Sequence, residues 1–475
     1  MHILLLSMPT PHNPSRVQIV PPMSLLCVGG MLRKEGHTSE ILNLDLLTRV
    51  GLTTEEAKIE HVVKRLETGE FDVLGLNCLV SSQFPFARKL TEAVRARALK
   101  LPTILGGMHA TLFAQDILTK CPSFDYIILG EGERQTSRLM RHIQSPTDAV
   151  LANIDGIAWR NASGTVHVNK RMSPLAPAEM PAPAWDMLRI DDYRSDYSKW
   201  YNPKGNNITL VAPLYTSRSC PLDCTFCSAF HMMGRGLRLR RIQDIFDEIE
   251  YLYHEHCINY FSIFDDNFTL NKQHVMQFCD EIRKRNLNIQ FDSSSGFNIA
   301  ALDEHMMAAM AEAGCIHFPM PIESGNDNIR QNVIHKKLPR EKIFEIARLA
   351  KKHNMLTTGM FIIGFPEDTP ETLEDTRRMI LELELDKYHV YTLIPFPGTK
   401  IFKQALKDNL FTESIDLSKL WDGTFNFEKP QGDFALKPYN CSLDTLRKYK
   451  HEFGQYWFFS DRVKALQKQH SSGTP

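Results

Sequence analysis

The stretch Thr-Ser-Arg-Ser-Cys-Pro-Leu-Asp-Cys-Thr-Phe-Cys, residues 216–227, places three cysteines on one short loop directly after an apolar run, residues 208–215. The three cysteines are Cys220, Cys224 and Cys227, in the spacing C-x₃-C-x₂-C. Three thiolates can hold three irons of a four-iron cluster, which leaves the fourth iron free to bind a group that is not protein. The spacing therefore predicts an iron–sulfur site with one open iron.

A structural zinc knuckle is the alternative for the same cysteines. Structural zinc sites are closed by four ligands, and the chain supplies no second C-x₂-C pair beside the loop. His231, four residues after Cys227, is a possible fourth ligand. The absence of a regularly spaced fourth cysteine favours the iron–sulfur interpretation.

The loop resembles the signature of the radical S-adenosylmethionine (radical SAM) superfamily, in which a C-x₃-C-x-aromatic-C loop follows the first strand of a barrel. Phe226 supplies the aromatic position. The resemblance implies a [4Fe-4S] cluster on the three cysteines, whose open iron binds S-adenosylmethionine and delivers the electron that breaks its C–S bond. A 5′-deoxyadenosyl radical results. An oxygen-sensitive enzyme with a one-electron donor, such as flavodoxin or ferredoxin, is therefore expected.

The composition limits the other partners. The chain has 475 residues, 43% of them hydrophobic and 23% charged, and a formal net charge of -1. This near-neutral balance carries no electrostatic signature of nucleic acid binding, and no apolar run approaches the roughly 18 residues that a membrane span needs. Ten scattered cysteines, with only three clustered, favour a reducing cytoplasm over a disulfide framework. We expect a small-molecule or peptide substrate.

Residues 1–145 alternate short apolar runs with amphipathic stretches. The five strand candidates are residues 3–7, 40–44, 72–77, 103–105 and 126–129. Alternating strands and helices predict an α/β fold, here a doubly wound, Rossmann-like parallel sheet. In such sheets ligands bind at the carboxyl ends of the strands.

Two glycine-containing loops follow the fourth and fifth of these strands, Gly-Gly-Met-His-Ala-Thr at residues 106–111 and Gly-Glu-Gly-Glu at residues 130–133. Glycine pairs are common turn chemistry when taken alone. Together with the cysteine loop, however, they resemble the cobalamin-binding domain that precedes the barrel in many radical SAM enzymes. The cobalamin contacts that this resemblance implies are Gly106, Gly107, His109, Thr111, Gly130, Glu131, Gly132 and Ser81.

One motif of other cobalamin proteins is missing from this first domain. The sequence Asp-x-His-x-x-Gly supplies a histidine to cobalt, and the only Asp-x-His of the chain, residues 303–305, lies far downstream and lacks the glycine. We therefore expect no histidine ligand to cobalt from the first domain. A residue of the loop 78–82, which contains Ser81, is expected to face the lower side of the corrin, and the sequence does not choose among its members.

Residues 146–207 are predicted to form a connector with a hairpin and a proline-rich strap. Its aromatic and polar stretch, residues 193–207, is either a solvated loop or a substrate contact. Residues 208–405 show six strand–helix repeats, with strand candidates at residues 208–215, 260–264, 289–292, 316–322, 359–363 and 390–394. Because eight repeats need about 250 residues, six predict a partial (β/α)₆ TIM-like barrel. The remaining residues, 406–475, contain an aromatic-rich helix candidate, 443–467, and are expected to cap the barrel mouth over substrate.

Polar motifs follow several predicted barrel strands, at the rim where barrel enzymes carry their chemistry. Alone, each motif is typical of a helix cap or a turn. The resemblance implies that Asp265 and Asp266 meet the methionine amino group, although other members have Gly-Gly-Glu there. It also assigns Glu323 and Ser324 to the ribose and carboxylate end, Ser295 to a polar position on the third strand, and Phe226 to the adenine. The arginines at 235, 238, 240 and 241 form either a solvated face or an anion contact.

The resemblance covers nearly the whole chain and predicts a cobalamin-dependent radical SAM enzyme, specifically a C-methyltransferase acting on an unactivated carbon. In that mechanism one S-adenosylmethionine methylates cob(I)alamin, a second yields the deoxyadenosyl radical, and the substrate radical takes the methyl from methylcobalamin. One alternative uses the same cofactors for cyclisation, ring rearrangement or oxidation without methyl transfer. The other is a non-catalytic metal-binding scaffold, against which the intact cysteines argue. No residue selects the substrate.

Overall fold

Two groups of parallel strands organise the chain, as its two rounds of alternating segments predict. The computed structural model describes residues 1–10, 18–146, 151–169, 174–198, 200–424 and 434–455. Of these, the first compact unit contains those within 1–194, 229–234 and 416–426, and the second unit contains the others.

The first unit is built on a seven-stranded sheet of order β2-β1-β3-β4-β5-β6-β7. Its strands are β1 His2–Ser7, β2 Thr38–Asn43, β3 Val73–Asn77, β4 Thr103–Gly106, β5 Tyr126–Ile128, β6 Ile157–Arg160 and β7 Val166–Val168. The first five strands pair in parallel. This confirms the predicted doubly wound sheet, including all five of its strand candidates.

Helices follow the parallel strands. They are α1 Met23–Lys34, α2 Glu55–Thr68, α3 Phe84–Ala96, α4 Met108–Lys120 and α5 Glu133–Gln144, with the short α6 Phe230–Met233 in the segment 229–234. Strand β3, in the middle of the five parallel strands, is buried at all five residues, as expected for a parallel strand covered on both faces. Helix α2 begins after Thr54, whose hydroxyl accepts a hydrogen bond from the Ala57 N–H at 3.1 Å.

The hairpin that the sequence places in the connector extends this first sheet. Strand β6 pairs antiparallel with β5, so that Trp159 lies opposite Tyr126. Ala158 packs into the core on one face of the sheet, and Ile157 and Trp159 pack into the core on the other. Both faces of β6 therefore bury apolar side chains, which a free hairpin in a connector could not do.

The second unit contains six parallel strands in chain order. The strands of this unit, including a two-residue antiparallel ribbon (β9 and β10), are β8 Val211–Leu214, β9 Ser217–Arg218, β10 Arg238–Leu239, β11 Tyr260–Ile263, β12 Gln290–Ser293, β13 His317–Glu323, β14 Leu356–Ile363 and β15 Lys387–Thr392. Two three-stranded sheets, β12-β11-β8 and β13-β14-β15, are joined by a parallel bridge between Phe291 and Cys315. This arrangement confirms the partial six-stranded barrel.

Seven helices are described in this unit, α7 Ile242–His256, α8 Lys272–Lys284, α9 Glu304–Glu312, α10 Arg340–Lys352, α11 Pro370–Leu383, α12 Lys400–Lys407 and α13 Leu443–Gln455. Helix α13 is the described part of the predicted aromatic helix, and residues 456–475 lie outside the described chain. Its Phe453 is buried. Of the helices described, none has the length and apolarity to cross a bilayer.

Two side chains of the stretch 193–207 contact barrel strands. The Trp200 ring lies edge-on to Tyr260, with ring centroids 5.9 Å apart, and Lys204 donates a hydrogen bond to the Ile289 carbonyl at 2.9 Å. Tyr260 and Ile289 stand at the amino ends of β11 and β12. These two contacts lie at the end of the barrel opposite the predicted site.

Candidate functional site

Asp265 fixes the start of the cysteine loop from the end of β11. Its fully buried carboxylate accepts hydrogen bonds from the Thr216 N–H at 2.7 Å, the Thr216 hydroxyl at 2.5 Å and the Ser217 hydroxyl at 2.7 Å. Burial raises the pKa of Asp265 to about 6, against the opposing effect of these donors. Both carboxylate oxygens are thus engaged within the protein, and a contact with a bound amino group stays a prediction.

The next two residues, Asp266 and Asn267, contact the loop at its first cysteine and at the residue before it. Asp266 accepts a hydrogen bond from the Ser219 N–H at 3.1 Å, and the Asn267 side-chain amide donates to the Cys220 sulfur at 3.3 Å. Ser219 is buried and has a φ of 71°, a conformation that costs a residue with a side chain free energy and is typical of functional sites. Asp265, Asp266 and Asn267 therefore form a brace, three consecutive residues that hold the approach to the first cysteine.

Backbone hydrogen bonds hold the second half of the loop. The Thr225 N–H donates to the Ile334 carbonyl at 3.1 Å, and the Cys227 N–H donates to the Cys224 carbonyl at 3.2 Å. Burial raises the pKa of the Cys224 thiol to about 11; the Lys336 charge opposes this rise, and Glu323 and the two other cysteines add to it. The three thiols are consequently near enough to influence one another, and a cation lies beside them.

That cation belongs to a buried ion pair at the end of β13. The Lys336 ammonium lies 2.9 Å from the Glu323 carboxylate, and the two side chains are only 12% and 10% exposed. Glu323 has a φ of 72°, a second strained position at the same rim. Ser324 is buried beside it, and its carbonyl accepts a hydrogen bond from the fully buried Arg330 guanidinium at 2.6 Å.

An apolar wall stands beside the cysteines. The Phe226 ring is edge-on to Phe365, with centroids 6.3 Å apart, and both pack in a cluster with Cys224 and Ile362. The turn that carries Phe365 is shaped by the buried Asp368, which accepts hydrogen bonds from the Gly364 and Phe365 N–H groups at 2.8 and 2.9 Å. An apolar wall that contains aromatic rings suits an adenine ring. Ser295, the remaining predicted residue, is exposed in the turn after β12.

Three of the four arginines after the loop are engaged with different partners within the protein. Arg240 forms a buried ion pair with Glu248 at 2.7 Å and donates to the Tyr215 carbonyl at 2.6 Å. Arg241 pairs with Asp244 on the surface. Arg235 donates to the Leu222 carbonyl inside the cysteine loop at 3.1 Å. The cluster is therefore largely structural, and Arg235 supports the loop itself.

In the first unit, the loops after β3, β4 and β5 are tied together at the carboxyl edge of the sheet. Gly107 has a φ of 104°, and a Cβ there would lie 2.2 Å from the Cys78 carbonyl oxygen, so that only glycine fits. The Thr111 hydroxyl accepts a hydrogen bond from the Gly130 N–H and donates to the Gly107 carbonyl, both at 2.9 Å. At Gly106, by contrast, a Cβ would meet no atom nearer than 3.9 Å.

His109 is fully buried at this edge, between the rings of Phe84 and Phe113 at 4.6 and 4.9 Å. Its Nε2 lies 2.9 Å from the Trp421 carbonyl oxygen, and its Nδ1 lies 2.9 Å from the Ser81 hydroxyl. A carbonyl only accepts, so Nε2 carries the hydrogen and the Ser81 hydroxyl donates to Nδ1. Burial lowers the pKa of His109 to about 4, which keeps the imidazole neutral near pH 7.

The structure thus brings Ser81, Gly107, His109, Thr111 and Gly130 together, with Gly106 beside them. Gly132 precedes α5 at the same edge. The buried Glu131 accepts a hydrogen bond from the Leu175 N–H at 3.1 Å.

Three functional candidates escaped the sequence analysis. Asn267 directly follows the two predicted aspartates, and its position was a usable signal. Lys336 lies 13 residues after its partner, and Trp421 lies 312 residues from His109. No local pattern joins residues at such separations.

Comparison with known proteins finds a family match in each half of the chain. Residues 214–380 match the family model for the radical SAM superfamily, and residues 14–139 match the model for the B12 binding domain. The chain belongs to the radical SAM superfamily. Its additional B12 binding domain makes it a cobalamin-dependent radical SAM enzyme.

Two curated relatives and one solved structure illustrate this membership. A protein named as an uncharacterized methyltransferase, PH0819, of Pyrococcus horikoshii is 28% identical over 98% of this chain and 90% of the relative. The anaerobic magnesium-protoporphyrin IX monomethyl ester cyclase of Rubrivivax gelatinosus is 26% identical over 86% of this chain and 69% of its own length. The structure of TsrM, a radical S-adenosylmethionine methyltransferase of Kitasatospora setae with cobalamin and a [4Fe-4S] cluster bound, shares the fold with a TM-score of 0.67, at 17% identity over 86% of this chain and 75% of that one.

The residues present fit the cofactors of this class, a [4Fe-4S] cluster, S-adenosylmethionine and cobalamin. A four-iron cluster takes each cysteine on a separate iron, and Cys220, Cys224 and Cys227 stand on one short loop. Beside the cysteines, the buried Asn267 Oδ1 has no hydrogen-bond partner within the described chain. In the first unit, the open space at Gly106 allows a large ligand to approach the backbone closely.

Proposed function

We propose that this enzyme is a C-methyltransferase that acts on an unactivated carbon atom of its substrate. The observation that carries the proposal is the presence, in one chain, of the braced three-cysteine loop and a B12 binding domain. The nearly end-to-end match to a methyltransferase-named relative supports methyl transfer over other outcomes. When bound, the cofactors would supply a hydrogen-abstracting radical and a transferable methyl group.

The protein's own residues prepare the cluster side of this reaction. Cys220, Cys224 and Cys227 would ligate three irons. The brace fixes the first of these cysteines, so that little reorganisation accompanies electron transfer. The Glu323–Lys336 pair offers both charges to the amino and carboxylate groups of S-adenosylmethionine in a poorly solvated place, where ionic hydrogen bonds are strong. These roles account for the burial of ionised groups that would otherwise be costly.

The apolar wall and the first-unit edge complete the assignment. Phe226 would lie against the adenine, with Asp266, Ser295 and Ser324 as further polar contacts. In the first unit, the edge built from Ser81, Gly106, Gly107, His109, Thr111, Gly130, Glu131 and Gly132 would receive cobalamin. His109 would act within the protein, since both its nitrogens are engaged, and no histidine from this unit would reach cobalt.

The partners proposed are a small-molecule or peptide substrate and a one-electron donor such as flavodoxin or ferredoxin. A cytoplasmic location is proposed because no disulfide joins the ten cysteines, all of which lie in described ranges, and disulfides are rare in a reducing compartment. The described residues 434–455, in which α13 packs Phe453 into the second unit, belong to the proposed substrate cap.

Radical cyclisation without methyl transfer is the second candidate. The observation that favours it is the similarity to the cyclase of Rubrivivax gelatinosus over 86% of this chain. The same cluster residues would serve both reactions. Product analysis therefore decides between them.

The test begins with anaerobic purification from cells supplied with cobalamin, followed by metal analysis and absorption spectroscopy. We expect about one cobalt and about four irons per chain. Incubation with S-adenosylmethionine, a reductant and candidate substrates should then give S-adenosylhomocysteine, deoxyadenosine and a methylated product. Deoxyadenosine without methylation would favour the cyclase candidate. Iron without cobalt would overturn the methyltransferase proposal, and zinc in place of iron would overturn radical chemistry altogether.

A further inference from the structure

Asn267 holds an unusual position in the brace. Its side chain is 4% exposed, and its amide nitrogen lies 3.3 Å from the Cys220 sulfur. The residue immediately precedes the short helical turn Phe268–Leu270, but its side chain does not cap that turn. The amide is thus directed to the sulfur and not to the local backbone.

The neighbouring residues impose this geometry. Asp265 is bound to Thr216 and Ser217, and Asp266 accepts from the Ser219 N–H. Thr216, Ser217 and Ser219 all lie within five residues of Cys220, so these hydrogen bonds fix the loop to the residues that follow β11. The amide therefore faces the sulfur without the freedom that a surface side chain would have.

Ligation of iron fixes the direction of the hydrogen bond. An iron-bound cysteine is a thiolate with no hydrogen to donate, and the amide nitrogen is then the only donor of the pair. A hydrogen bond to a cluster sulfur stabilises negative charge, and the reduced cluster carries one electron more than the oxidised cluster. The bond is therefore stronger in the reduced state and raises the reduction potential.

We propose that Asn267 is a positioning residue that raises the reduction potential of the cluster through an N–H···S hydrogen bond to Cys220. The inference rests on the cluster assigned under the proposed function. It adds a residue outside the ligand set that adjusts how readily the cluster accepts its electron. Asn267 itself is buried, and a hydrogen bond is electrostatically stronger inside a protein than in water.

The experiment is a potentiometric titration of the reconstituted full chain, monitored by electron paramagnetic resonance without S-adenosylmethionine. Asn267→Leu keeps the approximate volume and removes the donor. At the wild-type midpoint potential, we expect the ratio of reduced to oxidised cluster to be roughly tenfold lower in this variant. For one electron this corresponds to a midpoint potential about 59 mV lower. Asn267→Asp, which places a carboxylate beside the thiolate, should shift the potential in the same direction.

Thr269→Val is the matched control. Thr269 is fully buried in the adjacent turn and bonds to Asn298, so its loss disturbs the same region without touching Cys220. Its potential should equal that of the wild type. If Asn267→Leu fails to retain iron, the neutral variant Asn267→Ala, which also removes the donor, is titrated beside Asn267→Gln, which keeps one. A lower potential in the Ala variant than in the Gln variant supports the proposal, and equal potentials overturn it.

An unchanged midpoint in an iron-replete Asn267→Leu variant would also overturn the inference, while leaving the proposed function intact. Failure of the wild-type chain to hold a four-iron cluster would instead overturn the proposed function, and with it this inference. Iron analysis of the wild type distinguishes the two results before any titration. Neither result depends on turnover or on cobalamin.

Discussion

The cysteine loop of the second unit and the glycine loops of the first unit both lie at the carboxyl ends of parallel strands, but different forces hold them. The acidic side chain of Asp265 holds the cysteine loop, and the Glu323–Lys336 ion pair lies near the cysteines. Neutral groups hold the glycine loops, through the Thr111 hydroxyl and the His109 imidazole. Charge is useful where an electron and a charged cofactor arrive, whereas a large macrocycle mainly needs shape. The contrast therefore predicts that each site can be damaged without the other.

Replacement of all three cluster cysteines by alanine is the largest test of that independence. We expect iron to fall from about four per chain to background, and deoxyadenosine formation to stop, because no thiolate remains to bind the cluster. Cobalamin content should stay near the wild-type value, since the glycine loops do not depend on these cysteines. Metal analysis after anaerobic purification measures both quantities. Cys441→Ala, outside the loop, is the control, and a joint loss of cobalt and iron in the triple variant would contradict the contrast.

Gly107→Ala is the corresponding disruption in the first unit. The φ of 104° and the 2.2 Å approach to the Cys78 carbonyl should together cost about 3 kcal/mol of unfolding free energy. Denaturant titration measures this loss, and cobalamin content should fall with it. Gly51 is a matched control, because its φ of 88° is similar but a Cβ there meets no atom within 4 Å. If Gly51→Ala destabilised the chain equally, strain alone would explain the effect and the close approach would not matter.

The two sites should also respond to pH in opposite directions. Burial lowers the pKa of His109 from 6.5 to about 4, so its stabilisation is complete above pH 6.5 and is lost as the pH falls toward 4. Burial raises the pKa of Asp265 from 3.8 to about 6, so its stabilisation is complete below pH 3.8 and is lost as the pH rises toward 6. Hydrogen exchange between these limits should show protection of residues 107–113 falling on acidification, while that of residues 216–220 rises. The change is at most about tenfold per pH unit for one proton.

His109→Asn and Asp265→Asn are the variants that isolate these titrations. Each should flatten the pH response of its own segment and leave the other segment unchanged. Parallel responses of both segments in the wild type would mean that a global titration dominates. That result would contradict the proposed electrostatic difference between the two sites.

The sequence predicts the framework of both sites better than their supports. Strand periodicity and glycine or cysteine spacing are local, and they place His109 and Cys220 at the carboxyl ends of their strands. The partners are not local. The carbonyl that fixes the His109 tautomer comes from Trp421, 312 residues away, and no periodicity reports such a contact.

Chemistry, as well as distance, limits what the sequence predicts. A buried aspartate after a strand suggests a ligand, because an unpartnered carboxylate is costly. Hydrogen bonds from the Thr216 and Ser217 hydroxyls offset that cost for Asp265. In the sequence, these two residues beside a cysteine motif look like ordinary turn residues. Patterns of residue type therefore identify which groups are important more readily than which group binds which.

The smallest effect tests whether the first site depends on a single neutral hydrogen bond. Thr111→Val removes the acceptor of the Gly130 N–H and should cost about 1 kcal/mol of unfolding free energy, while iron content stays at the wild-type value. Cobalamin retained after gel filtration should fall severalfold, because the loops after β4 and β5 are no longer tied. Thr119→Val is the control on the same helix, since Thr119 bonds only to the Gln115 carbonyl of its own helix among the contacts described. Equal cobalamin retention in the two variants would show that glycine geometry alone shapes this edge; a difference would show that neutral side chains shape it as well, as charged ones shape the cysteine loop.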